Sequence, residues 1–459
     1  MKLFDAYGRE VETSRLRERQ AAPTMAGVRN IYSIMHPSAG LTPEKLVGIL
    51  REAEFGDPYM YLELAEEMEE KDLHYLAVLN TRKQALAGCG VIVTPASSEA
   101  GDQRAAALVN DVLNGGAFNL QSALFDILDA IGKGFSATEI IWDTAGREWI
   151  PQRLVWRDPR WFMFDWISGE ELLVRTLRDE GPSISTTQSP GAQRTPHFGG
   201  PQWYAGTDDG AQIGYQPLTA PLVPFKFVVH VAKAKSGLPI RGGLARAAGW
   251  AYLFKNYLFK DWARFAEVFG QPLRLGKYGP GATENDKQAL LRAVANIGTD
   301  AAAIIPESMV IEFVETRQSA GAEVYERFCE YLDRQLSKAV LGQTLTTETP
   351  REGGSRAAAQ VHNAVRRDIV EADARRLSAT LTRDLARPIV ELNLGPQRRY
   401  PQVALALGDD TDVKMFADII AELADRGLRV GQRQVLERLG LTPADVNEPV
   451  LEPAGARHA

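Results

Sequence analysis

The stretch SGLPIRGGLARAAGWAYLFKNYLFKDWARFAEVFG, residues 236–270, decides the architecture of this chain. Glycines 237, 242 and 243 around Pro239 punctuate an entry turn. Behind it Trp250, Phe254, Tyr257, Leu258, Trp262, Phe265 and Phe269 recur at steps of three and four, which predicts a helix over 244–269 with an aromatic face. Arg246, Lys255, Lys260 and Arg264 stand between the rings. Aromatics mixed with cations can stack on single-stranded bases. The helical spacing favours packing against neighbouring helices instead.

Outward toward the C-terminus, residues 270–315 read as a compact insertion. It has a strand over 272–276, a turn at Gly279-Pro280-Gly281, a helix over 283–297 and strands at 303–305 and 310–314. The chain then returns along a helix over 322–341, with Val324, Phe328, Leu332, Leu336 and Val340 at four-residue steps. A polar, glycine-ended loop follows (GQTLTTETPREGG, residues 342–354), and residues 355–392 read as one long helix interrupted by Pro388. At ~1.5 Å per residue it would run on the order of 55 Å and needs a large body to support it. A strand over 402–407, acids at Asp409, Asp410 and Asp412, and helices over 413–426 and 431–439 complete this half.

Outward toward the N-terminus the pattern is mixed. Residues 1–40 read as a polar, irregular arm. Helix starts are signalled by Thr42-Pro43-Glu44 and by Asp57-Pro58, the second continuing to Leu86 with Glu63, Glu66, Glu67, Glu69, Glu70 and Asp72 as a solvated acidic face. A strand at 91–93, helices near 103–113 and 120–131, and antiparallel strands over 135–143 and 153–165 follow. The Gly-, Pro- and Ser-rich segment 181–217 reads as a long exposed loop ahead of a strand over 225–231.

Composition limits what this architecture can do. Hydrophobic residues make up 45% and charged residues 24% of 459, the values of a folded globular chain. Lys and Arg number 52 against 59 Asp and Glu, so 52 − 59 = −7, and any contact with nucleic acid is local or weak. Two cysteines, Cys89 and Cys329, far apart and without a CxxC or Cys/His cluster, predict reduced thiols in a reducing compartment. The charged N-terminus has no signal-peptide pattern, and no window of about 18 apolar residues predicts a membrane helix.

A search for chemistry gives no anchor. Ile131-Gly132-Lys133-Gly134 lacks the spacing and the hydroxyl of a phosphate loop. His36, His74, His197, His230, His362 and His458 are scattered, no GxSxG elbow occurs, and Asp409, Asp410 and Asp412 suit a helix start as well as a cation. No cofactor, no metal and no catalysis are expected.

The order after residue 236 resembles the portal proteins of tailed bacteriophages, specifically the Mu-like portal family. The resemblance is carried by Ser236–Gly243, the helix through Lys255–Arg264, Phe269-Gly270-Gln271-Pro272, Leu336–Thr347 and Gly353–Ala357, and it spans nearly the whole chain. It implies an α+β portal-type subunit with an N-terminal arm (1–41) and a wing (42–235, with the exposed loop 181–217). A first stem helix (236–269), an inserted α/β clip (270–318) and a second stem helix (319–341) would follow. Beyond them it implies a tunnel loop (342–354), a long kinked wing helix (355–393) and a small helical crown with tail (394–459).

It further implies stem packing through Trp250, Phe254, Trp262, Phe265, Phe328 and Leu332, and a docking surface on the clip at Lys277, Tyr278, Glu284 and Lys287. Thr344, Thr346, Thr347, Glu348 and Arg351 would line a DNA channel. The implied assembly is a twelvefold homo-oligomeric ring at one capsid vertex, for packaging and ejecting double-stranded DNA without sequence specificity. Its implied partners are the terminase motor, a head-tail adaptor and the major capsid or scaffold protein. Localisation would be the virion, with host cytoplasm during assembly and no membrane. Twelve copies would carry 12 × −7 = −84, a ring that does not hold a polyanion. Two other readings stand beside this one: another virion head-tail or morphogenesis protein, and an enzyme whose site is assembled from distant residues.

Overall fold

A computed structural model describes residues 2–24, 29, 36–116, 118–143, 145–146, 148–176, 219–269, 273–296, 310–314, 319–344 and 356–407, with a few positions between 419 and 436. Its elements divide into two units, 1–406 and 407–459. In the second, residues 419–423 are helical and Arg426 pairs with Glu422.

The N-terminal segment is docked. Around the short helix α1 (Thr13–Leu16), Leu16 and Ala21 are fully buried. The Lys226 Nζ donates to the Leu16 carbonyl at 2.6 Å, and the Gln20 N–H donates to Glu139 Oε1 at 2.6 Å. Such an arm has too few apolar residues to show a period. It is held by polar side chains that satisfy its backbone, a signal absent from hydropathy.

Helices α2 (Pro43–Glu54), α3 (Tyr59–Lys71) and α4 (Leu73–Ala87) come next, the first capped by Thr42 and the last by Asp72. The break at Asp72 divides what the sequence pattern reads as one helix. Strand β1 (Gly90–Thr94), α5 (Ala100–Asn114), α6 (Leu120–Ile127) and α7 (Ala130–Lys133) lead into the sheets. β2 (Phe135–Asp143) pairs antiparallel with β3 (Ile150–Arg157) on one side. The register shifts at Ile141/Trp142, where Pro151 sits opposite. β4 (Phe162–Phe164), β5 (Leu172–Arg175) and β6 (Thr219–Pro221) form a second antiparallel sheet. β7 (Phe227–Val231) closes the other edge of β2.

Helix α8 (Ala245–Phe269) opens the second half. β8 (Leu273–Lys277), α9 (Glu284–Asn296) and β9 (Val310–Val314) form the insertion, with β8 and β9 antiparallel. α10 (Ser319–Leu341) returns. α11 (Arg356–Leu381) runs through a π-helical turn at Thr382–Ala386 into α12 (Arg387–Leu394), and β10 (Gln402–Ala406) pairs with β1. Gln402–Ala406, read in the sequence with the C-terminal crown, is therefore part of a two-stranded sheet in the first unit.

The interruption near Pro388 has a physical form. Proline lacks the N–H that would bond the carbonyl four residues earlier, and one wider turn accommodates the mismatch. The same turn ties the helix to the sheet: Asp384 Oδ2 accepts the Val229 N–H at 3.0 Å and Arg383 Nη2 donates to the Val229 carbonyl at 2.8 Å. Together they occupy the outer edge of β7 at that residue.

The two glycine-marked stretches meet. Gly134 has φ 104°, and a Cβ there would lie 2.8 Å from the Pro239 carbonyl oxygen. One on Gly243 would lie 2.4 Å from the Lys133 carbonyl carbon. Glycine is required at both positions because backbone passes against backbone.

Candidate functional site in the stem and its joint to the body

α8 and α10 form an antiparallel pair, since Trp262 stacks on Tyr325 (6.4 Å between centroids, 10° between planes) while Lys255 meets Asp333 further along. Of the residues read as stem packing, Leu332 is buried, and Trp262 and Phe265 both contact Tyr325. Trp250 is half-buried. Phe254 and Phe328 are each 42% exposed within the protomer, facing away from the line of contact between α8 and α10.

A buried polar joint holds the α8–α10 pair, the expected stem, to the helices and sheets of residues 2–244, its body. Lys255, buried on α8, places its Nζ 2.7 Å from Asp72 Oδ1 and 2.7 Å from Asp333 Oδ1. Burial alone would lower its pKa, but hydrogen bonds to the two carboxylates raise it, so the ammonium form is held. Asp72 also caps α4, its Oδ1 accepting the N–H groups of His74 at 3.1 Å and Tyr75 at 3.0 Å. His74 Nε2 lies 2.8 Å from Ser337 Oγ on α10. At the other end of α4, Arg82 bonds Asp373 Oδ2 on α11 at 2.7 Å and donates to the Val340 carbonyl at 2.7 Å. One helix of the body thereby grips both stem helices and α11.

These contacts fix both flanks of the segment 342–354. Gly342 ends α10 with φ 72°, and a Cβ on it would lie 2.7 Å from Ile369 Cδ1 and 2.9 Å from Val365 Cγ1 of α11. Gln343 is buried, and Thr344 is the last described residue of the segment. Thr346, Thr347, Glu348 and Arg351 lie outside the described residues, as do 177–218 and the acids at 409–412.

In the insertion, Tyr278, Glu284 and Lys287 come together on the surface. The Lys287 Nζ lies 5.3 Å from the Tyr278 ring centroid and 3.1 Å from Glu284 Oε2. Lys277 ends β8 opposite Val310.

The acidic face of α3 corrects the sequence reading. Glu63 and Glu67 are 4% exposed, and Lys133 places its Nζ 2.6 Å from Glu66 and 2.6 Å from Asp129. Lys83 lies 3.2 Å from Glu69 and 3.1 Å from Asp129. Glu66 and Glu69 are drawn inward because α7 and α4 bring two buried cations against them, Glu63 and Glu67 pair with Arg160 and Lys71, and Glu70 stays exposed. Burial disfavours the charged Lys133, yet Asp129, Glu66 and Glu69 raise its pKa. Sequence reasoning missed Asp72, His74 and Arg82 as joint residues and Lys133 as the cation of the acidic cluster, and the non-local partners that define them leave no local signal. Among the described residues no group of three or more acidic, His or Cys side chains could hold a metal, and no helix is long and apolar enough to cross a membrane.

The family model described as the portal protein of Mu bacteriophage matches residues 62–441. The chain belongs to this portal protein family. It is 38% identical over 456 residues to the Mu-like prophage FluMu protein gp29 of Haemophilus influenzae, covering 98% of this chain and 80% of that protein. It is 32% identical over 408 residues to the portal protein of Escherichia phage Mu, covering 88% and 72%. Among solved structures, a chain of the neck of a native gene transfer agent particle, computed with C12 symmetry, matches with a TM-score of 0.51 at 12% identity, over 83% of this chain and 94% of that one. A chain of the neck of the empty particle matches with a TM-score of 0.52. The portal family accounts for the α+β fold, and members of this family are structural virion proteins that form ring oligomers at a capsid vertex.

Proposed function

We propose that this portal subunit assembles through its stem into a twelvefold ring whose channel passes double-stranded DNA into and out of the capsid. Family membership over residues 62–441 is the observation that carries the reading. The joint supports it, because Arg82 and Gly342 anchor both flanks of the loop that would meet the DNA. A duplex carries one charge per ~1.7 Å, so a channel that grips it would resist translocation. The loop 342–354 instead offers threonines with Glu348, Arg351 and Glu352 near balance. Thr344, Thr346, Thr347, Glu348 and Arg351 are then the channel-lining set.

The insertion serves as the clip. Tyr278, with Lys287 and Glu284 beside it, presents an exposed aromatic to the terminase motor during packaging and to a head-tail adaptor afterwards. The body contacts the major capsid or scaffold protein while the ring is built in the host cytoplasm. No catalytic step is assigned to it.

The test is complementation of a portal-null Mu-type prophage with this gene or with a variant lacking 346–351. The wild type is expected to yield DNA-filled particles, and the variant is expected to lose packaging or genome retention. Unaltered packaging by the variant would remove the loop from the account.

A further inference from the structure

The stem carries two apolar surfaces that its own protomer leaves open. On α10 the buried line is Cys329, Leu332, Leu336 and Val340, at 8%, 7%, 2% and 0% exposure. A second line, Val324, Phe328 and Tyr331, is 64%, 42% and 50% exposed. Its steps of four and three are those of a heptad seam. At about 100° per residue it lies roughly a third of a turn from the buried line. On α8, Phe259 is 50% exposed, and Ala263 and Ala266 are exposed beside it on one flank of Trp262, again at steps of four and three. Phe254 and Tyr257 occupy the opposite flank of α8. Each stem therefore offers a row of large side chains on one helix and a row with small side chains on the other.

We infer that the α10 seam of one protomer packs against the Phe259, Ala263 and Ala266 flank of α8 in the next copy, so that the ring closes through a contact between unlike helix faces. This rests on the ring reading above and adds the surfaces to it. Level decides the partner. Trp262 opposite Tyr325 sets the pairing of the two helices, which puts Phe328 level with Phe259 and Val324 level with Ala263. Rotation about an axis along the stem preserves level, so neighbouring copies bring these same residues to one height. A heterologous contact repeated by rotation closes a ring, and at these levels Val324 meets Ala263 while Phe328 meets Phe259, an aliphatic pair beside an aromatic one. The charged residues at this level of α8, Lys260, Asp261 and Arg264, are exposed and stay clear of the seam.

The test is oxidative cross-linking of the purified full-length protein in a Cys89→Ser, Cys329→Ala background. Val324→Cys together with Ala263→Cys in one chain is expected to give a ladder of covalent multimers. Either substitution alone is expected to give none, and a mixture of the two singles only dimers. Rings in negative stain without cross-links from the double variant would overturn the seam while leaving the ring. Dimers from Val324→Cys alone would overturn it as well, because they require like surfaces to meet. Absence of both rings and cross-links would overturn both readings. Phe328→Glu adds an independent check: it is expected to keep the circular dichroism spectrum of the wild type and to lose the ring, and rings at wild-type yield would overturn the seam.

Discussion

The body and the stem treat their side chains in opposite ways. In the body, charge is internal: Lys133, Lys226 and Glu139 are at most 2% exposed, and each has an ionic partner within 4.0 Å. In the stem, apolar surface is external: Phe259, Val324, Phe328 and Tyr331 are all at least 42% exposed. A body that completes its own pairing is a finished folding unit. A stem that leaves aromatic rows open is half of an interface, since exposed contiguous apolar surface marks association sites.

Four measurements probe this contrast. The largest effect belongs to Lys133→Met, which leaves Glu66 without its cation and Asp129 with Lys83 alone. Breaking a buried pair from one side costs about 3–5 kcal/mol, so the urea midpoint should fall sharply. A loss below about 1 kcal/mol, the range of exposed pairs, would place the cluster in solvent.

His230 gives a pH-dependent version of the same test. Burial, with Arg383 and Arg376 nearby, pushes its pKa down to about 4 from 6.5. The unfolded chain therefore binds the extra proton first, and this group's contribution of roughly 3 kcal/mol is present above pH 6.5 and lost as pH falls toward 4. His230→Asn should flatten the dependence of unfolding free energy on pH across that window. An unchanged slope would show that His230 is accessible when folded.

Lys255→Met should cost about 2–3 kcal/mol, less than Lys133→Met because Lys255 serves two carboxylates and Lys133 three. Hydrogen exchange should rise along α10 with little change in the sheets. Uniform exchange would mean that the joint is not a separate locus. The smallest effect is expected on the stem surface, where Phe328→Ser should move the stability of the dissociated protomer by no more than about 0.5 kcal/mol. A larger loss would make Phe328 a packing residue of its own chain.

Much of the plan was legible in residues 236–394. The aromatic period, the interrupting glycines and the apolar steps of α10 each repeat a local physical rule, and the structure draws α8 and α10 within a few residues of the predicted bounds. What escaped sequence reading depends on partners far away in the chain. Glu66 and Glu69 look solvated on a helical wheel until Lys133 and Lys83 arrive from other helices. The first twenty residues look irregular in sequence because their ties are distant: Gln20 bonds Glu139, Pro221 and Val223, and the Leu16 carbonyl accepts from Lys226. Phe254 and Phe328 obey the helical period, but period alone does not separate the face turned to α8 or α10 from the face turned outward. Pro388 announced an interruption without its form, since the π turn depends on what Asp384 and Arg383 find on β7.

Negative-stain imaging of the purified full-length chain decides whether the exposed stem surfaces are the contacts of a ring. Closed rings with a central hole are expected, lost on Phe328→Glu while the protomer stays folded. A population of single globular protomers at micromolar concentration, with the stem faces left in solvent, would contradict that expectation.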